Sequence, residues 1–275
     1  MAAASAAAGL CTESNPRMIA AAVFDRRRSG SLRTQNTADL STEDAMQHDA
    51  IGPGFTADWF DGNIPRWNEW LAGLKGQRDL RILEIGCFEG RATVWLAENI
   101  LGSGGGTIDC VDLFAPDPVH GDYHARFRAN TAAYAHLIRE YAGRSSDALR
   151  KIEDEYDLIY VDGDHTAFGV LADGVMSWPL LKVGGLMIFD DYEWMPPRLG
   201  PSADAGRLAR LRWKLWGRKA ARQRFAVETP KPGIDGLLAT LDGYFEIVGK
   251  GYQLAVRKTR AFDAERQRLA QAPKK

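Results

Sequence analysis

From Phe55 onward, apolar positions recur in two alternating rhythms. Trp59, Phe60, Ile64, Trp67, Trp70 and Leu71 recur at roughly helical spacing, with Pro65 near the start, which predicts a helix before the first strand. Leu80 to Gly86 is then a short apolar run, the pattern of a buried strand. A helix is predicted over Arg91 to Leu101, ended by Gly102-Ser-Gly-Gly-Gly106, and a second strand over Thr107 to Phe114. A helix over Arg126 to Leu137 leads to a short third strand at Ile138 to Tyr141. The fourth strand, Tyr156 to Val161, is followed by a helix over Ala167 to Leu181, for which Asp164 is the expected N-cap. Gly184-Gly185 opens a fifth strand, Leu186 to Phe189. Phe245 to Val248 and Tyr252 to Val256, joined by Gly249-Lys250-Gly251, have the pattern of a hairpin. Such alternation specifies an α/β fold, a doubly wound, mostly parallel sheet with an antiparallel C-terminal hairpin strand.

Composition divides the chain. Residues 1–52 open on a run of Ala, Gly and Ser, continue through Arg26-Arg27-Arg28 and contain few large apolar residues. They are expected to form a disordered tail or an over-extended start, with Met18 an alternative initiator. A transit peptide is the rival reading, opposed by Asp39, Glu43, Asp44 and Asp49. The folded domain is expected over 53–260, followed by a charged tail over 261–275. Within the domain, 196–228 stands out as a basic insertion. There Leu208, Leu211, Leu215 and Trp216 fit one helical face amid Arg and Lys, as in a lid packed over a site.

The whole chain of 275 residues carries a net charge of -1. That balance disfavours nucleic acid and membrane surfaces as partners. Three cysteines, Cys11, Cys87 and Cys110, show no metal-type spacing and fit a reducing, cytoplasmic setting. No stretch has the apolar length of a membrane span.

Ligands of open parallel sheets bind beyond the C-terminal ends of the strands, near the switch point. The turn after the first strand, Glu84-Ile85-Gly86-Cys87-Phe88-Glu89-Gly90, has glycines that allow close backbone approach. Its spacing is not the G-x-G-x-x-G of dinucleotide binders. Asp112 ends the second strand, where an acidic side chain can accept from ribose hydroxyls; it is otherwise a turn residue. Ser145 and Ser146 follow the third strand and could also cap a helix beginning near Asp147. Asp162 ends the fourth strand and Asp190-Asp191 the fifth. If these strands are neighbours, the three carboxylates crowd a small volume, which a divalent cation would relieve. All-oxygen ligands point to Mg²⁺, with Mn²⁺ or Ca²⁺ as substitutes. His165 is a candidate general base beside them.

The E-x-G-x-x-x-G turn resembles motif I of class I, S-adenosylmethionine-dependent methyltransferases, whose fold is Rossmann-like. The resemblance implies that Glu84, Gly86, Cys87, Phe88, Gly90 and Asp112 face the cofactor, with Ser145 and Ser146 near adenine. With Asp162, Asp190 and Asp191 as metal ligands and Asp162 and His165 as catalytic residues, the pattern is similar to the metal-dependent O-methyltransferases. Asp191 stands where the catechol and caffeoyl-CoA types carry Asn, which leans toward the sugar-type branch. The implied reaction is methyl transfer to a hydroxyl of a small molecule or sugar, with Mg²⁺ as second cofactor. A metal-independent N- or C-methyltransferase stays open, as does a cofactor-binding module docking on membrane or RNA through the basic helix. Self-association into a homo-oligomer is also left open.

Overall fold

A computed structural model describes residues 54–116, 118–194, 206–212 and 228–262. The expected tails, 1–52 and nearly all of 261–275, lie outside the described residues, as does most of the basic insertion. Contacts between residues divide the chain at Met46/Gln47, and every described residue belongs to the C-terminal unit.

Seven strands form one sheet: β1 (Leu80–Ile85), β2 (Gly106–Asp112), β3 (Ile138–Ala142), β4 (Tyr156–Val161), β5 (Leu181–Phe189), β6 (Phe245–Lys250) and β7 (Leu254–Lys258). Their order is β3-β2-β1-β4-β5-β7-β6. β3 to β5 are parallel, and β7 pairs antiparallel with both β5 and β6. The helices are α1 (Ile64–Trp70), α2 (Arg91–Leu96), α3 (Tyr123–Asn130), α4 (Ser145–Ala148), α5 (Ala167–Ser177), α6 (Arg207–Arg212) and α7 (Lys231–Thr240). This is the expected doubly wound, Rossmann-like α/β fold. Among the described residues no helix is long and apolar enough to cross a membrane.

Period-two alternation along each strand sorts the core into two layers. Ile82, Ile108, Leu158, Ile188 and Ala255 belong to one apolar cluster with Phe60, Trp67, Leu71 and Trp95. Leu83, Ile159, Met187, Phe189 and Val256 belong to the other, with Val170, Trp178, Ile234 and Leu237 from α5 to α7. Gly233 lets α7 approach the Ala167 carbonyl, where a Cβ would have no room. The expected first helix is present, and Trp67 is its buried anchor, whereas Trp59, which precedes it, is 65 % exposed.

Several boundaries differ from the sequence reading. α2 is short and runs on as a wider π turn over Ala97–Leu101. β2 stops at Asp112 because Phe114 takes φ +46°, a left-handed conformation that no strand accommodates. α3 begins at Tyr123, not Arg126, because the Asp122 carboxylate caps it through the Ala125 amide at 3.0 Å. β5 starts five residues early, at Leu181, and a register shift between Tyr156 and Leu158 absorbs Gly184-Gly185. The hairpin turns at Gly251-Tyr252-Gln253, because Gly249 and Lys250 still pair with Ala255 and Leu254. Within the insertion only α6 is described; Leu208 and Leu211, expected to pack, are 78 % and 53 % exposed.

Candidate cofactor and metal site

Sheet register puts the candidate residues in one row. Ile85 pairs with Val111 and with Val161, Val161 pairs with Phe189, and Phe189 pairs with Leu254. The next positions are Gly86, Asp112, Asp162, Asp190 and, running the other way, Gln253. Backbone bonds extend the ladder: Gly86 N–H donates to Val111 O, Asp162 N–H to Ile85 O and Asp190 N–H to Val161 O, at 2.8, 2.8 and 3.0 Å. Alternation then sends all of these side chains to the face covered by Phe60, Trp67 and Trp95.

The motif I turn is shaped by its neighbours. Gly86 has φ +87°, and a Cβ there would collide with the Asp162 carbonyl. Gly90 has φ +83°, and a Cβ would sit 2.8 Å from Thr131. The glycines thus let β4 and α3 pack onto the turn, besides any approach they allow to a ligand. Phe88, a non-glycine, is held at φ +45°. The turn closes through Gly90 N–H to Cys87 O at 2.7 Å. Glu89 is buried and accepts from the Thr56 amide at 2.6 Å, the Thr56 hydroxyl at 2.7 Å and Arg126. These bonds strap the segment before α1, and α3, to the turn.

Asp112 is the hub of the turn. Its Oδ2 accepts from the Cys87 and Phe88 amides at 2.7 and 3.0 Å. Its Oδ1 accepts from the Phe114 amide and the Tyr123 hydroxyl, each at 2.9 Å. Cys87 is buried beside Cys110, and burial first, then the neighbouring thiol and carboxylates, pushes its thiol up. Glu84 faces the interior and accepts from the Thr93 hydroxyl at 2.6 Å. Burial raises its carboxyl to about 8, so it is mostly protonated at pH 7. Ser145 and Ser146 begin α4 themselves, with Arg144 as an N-cap that makes no side-chain bond. The helix thus starts two residues earlier than near Asp147, and neither serine is its N-cap.

The acidic half is more crowded. The Tyr160 hydroxyl lies between two carboxylates, donating to Asp190 and approaching Asp162 Oδ2 at 3.0 Å. Burial first, then Asp190 and Asp191, pushes Asp162 well above the usual carboxylate range. Burial raises Asp190 as well. Asp191 behaves oppositely: burial pushes it up, but hydrogen bonds from His165 and Tyr252 outweigh that and hold it low. His165 Nδ1 lies 2.7 Å from Asp191 Oδ2, and that bond raises the imidazole pKa. Asp191 also adopts φ +54°. Three of the four described non-glycine residues with positive φ, namely Phe88, Phe114 and Asp191, thus sit at this edge of the sheet. Such strain concentrates at functional sites.

Asp162, His165 and Asp191 offer ligand atoms that all lie within 4.8 Å of one another. Asp190 is outside that trio, turned toward Tyr160 and the Asp191 amide, the latter at 2.7 Å. Asp164 does not cap α5; Thr166 does, accepting from Gly169 N–H at 3.0 Å, and Asp164 accepts from Thr166 N–H at 2.9 Å.

Sequence reasoning missed Tyr160, Gln253, Tyr252 and Trp67. Gln253 is fully buried, and its Oε1 accepts from the Trp67 indole at 2.7 Å. Its amide nitrogen is buried with no hydrogen-bond partner among the described residues. Tyr160 was legible in principle, two residues before Asp162 on the same strand face. Gln253 and Trp67 meet across 186 positions of sequence, which no local pattern reports.

A family profile described as a methyltransferase domain matches residues 83–192. The uncharacterized protein R132 of Acanthamoeba polyphaga mimivirus is 26 % identical over 137 residues, 46 % of this chain and 60 % of that protein. The match thus spans about three fifths of that relative's length. Among solved structures, SAH-bound PaMTH1 of Podospora anserina shares 18 % identity with a TM-score of 0.47, covering 71 % of this chain and 78 % of that one. The O-methyltransferase NovP shares 20 % identity with a TM-score of 0.49, covering 72 % and 79 %. Residues 83–192 are thus similar to a methyltransferase domain.

Proposed function

We propose that the protein transfers the methyl group of S-adenosylmethionine to a hydroxyl oxygen of a small molecule or sugar, with a divalent cation at Asp162, Asp190 and Asp191. The observation that carries this reading is the row itself. The motif I glycine, Gly86, packs directly on Asp162, so a methyl donor on the turn would abut the carboxylates. The donor set fits a hard cation. Asp162 and Asp191 bring carboxylate oxygens together, Asp190 lies beside them on Tyr160, and burial plus mutual repulsion raises Asp162. A bound Mg²⁺ supplies Lewis acidity that lowers a substrate hydroxyl's pKa.

The chain's own residues do the rest. Asp112 and the motif I turn orient the donor. Tyr160 fixes Asp190 and Asp162 by bonds made on the buried side of the cluster. Asp191 holds His165 by Nδ1, which leaves Nε2 of this half-exposed ring to take the hydroxyl proton. The oxygen–methyl bond forms as the sulfur–methyl bond breaks. The sulfonium leaves as a neutral thioether, so positioning supplies much of the acceleration.

Transfer of labelled methyl to a panel of hydroxyl compounds, with Mg²⁺ or with EDTA, tests the proposal. Label incorporated with Mg²⁺ and lost with EDTA is expected. Full incorporation in EDTA, together with an unaffected Asp190→Ala variant, contradicts the metal. The second reading, metal-independent transfer, draws on the His165–Asp191 pair, which already gives one carboxylate an internal cationic partner.

A further inference from the structure

Asp112 presents a problem of hydrogen-bonding capacity. An ionised carboxylate offers about four lone-pair sites. Here four protein donors already occupy them: the amides of Cys87, Phe88 and Phe114, and the Tyr123 hydroxyl. The proposed cofactor brings ribose hydroxyls to the same carboxylate, and these can bond only where a protein donor gives way.

The four donors are not equally able to leave. Phe88 and Phe114 are both held at positive φ, +45° and +46°, and each aims its amide at Asp112. Cys87 N–H is fixed between Gly86 and this strained residue. Moving any of the three amides means rebuilding the motif I turn or the end of β2. Tyr123 is the one side-chain donor. A rotation about its C–O bond withdraws the hydrogen without moving the ring. The ring is nearly buried and packed beside Phe88, centroids 5.5 Å apart, in a cluster with His120 and Trp59.

We propose that Tyr123 guards the ribose-binding carboxylate: its hydroxyl holds the Asp112 lone pair that a ribose hydroxyl must claim, so cofactor binding is an exchange of donors on Oδ1. This rests on the cofactor assignment of the proposed function and adds to it a residue that sets affinity and selectivity. A ligand without a hydroxyl at that place cannot repay the exchange. Tyr123 thus tells a nucleoside thioether from a free amino acid that fits the same turn.

The test is equilibrium and stopped-flow binding of S-adenosylhomocysteine to the full chain and to Tyr123→Phe, with Tyr123→Met as a second variant that also lacks the hydroxyl. Removing the competing donor is expected to tighten binding about three- to tenfold, the equivalent of one net hydrogen bond, and to speed association. A purely structural Tyr123 would lower the melting temperature and leave binding unchanged or weaker. Unchanged or weaker binding by both folded variants overturns the guard role while the cofactor assignment stands. No binding by the unsubstituted chain overturns the cofactor assignment itself.

Discussion

The charge state of individual carboxyl groups decides how this site behaves. Glu84 is the sharpest case, because its carboxyl is raised to about 8 by burial. In the unfolded chain the same group ionises near pH 4.5. Between those values the folded state binds the extra proton, so stability falls as pH rises through that window. Glu84→Gln removes the titration and keeps a hydrogen-bonding side chain. Its melting temperature should match the parent at pH 4.5 and exceed it at pH 8.5; equal melting temperatures at both pH values would mean that Glu84 is not neutral when buried. Tyr160 matters because its hydroxyl bridges two crowded carboxyl groups. Tyr160→Phe leaves Asp162 and Asp190 facing each other without the shared hydroxyl. It should cost about 1–3 kcal/mol in urea unfolding without metal, and the loss should shrink when Mg²⁺ is added.

At the scale of elements, α1 and the C-terminal hairpin are joined through one bond. The Trp67 indole donates to Gln253, and Trp67 also packs edge-to-face on Tyr160 with centroids 4.8 Å apart. Trp67→Ala removes a fully buried ring and strands the Gln253 oxygen. A loss of roughly 3–5 kcal/mol in chemical denaturation is expected. Trp67→Phe, which keeps most of the bulk, should cost less but still leaves the Gln253 oxygen without its donor. The sequence pattern revealed α1 and each of the parallel strands, since those depend on local periodicity. It placed Asp112, Asp162 and Asp190 at strand ends, and register then aligned them. It did not reveal the early start of β5 or the true turn of the hairpin. Both are set by pairing with distant strands, where a bulge shifts the register without any local signature. The cap of α5 was missed for a related reason. Asp164 and Thr166 are both good caps, and only the loop's path chooses between them.

For the whole molecule, the seven-stranded sheet acts as a ruler that brings residues from β1, β2, β4 and β5 to one edge. Gly86 is where the two halves of the site touch, since it has no room for a Cβ against β4. Gly86→Ala must displace either the motif I turn or Asp162, and its φ of +87° adds strain. Both S-adenosylhomocysteine affinity and metal affinity should fall in this one variant, although it removes no polar atom. The most direct test of the central claim is Mn²⁺ binding followed by electron paramagnetic resonance, on the chain and on Asp162→Asn. The account predicts one bound Mn²⁺ per chain in the presence of S-adenosylhomocysteine, lost in the variant while the thioether still binds. A chain that binds the thioether but holds no Mn²⁺ at millimolar concentration would contradict it.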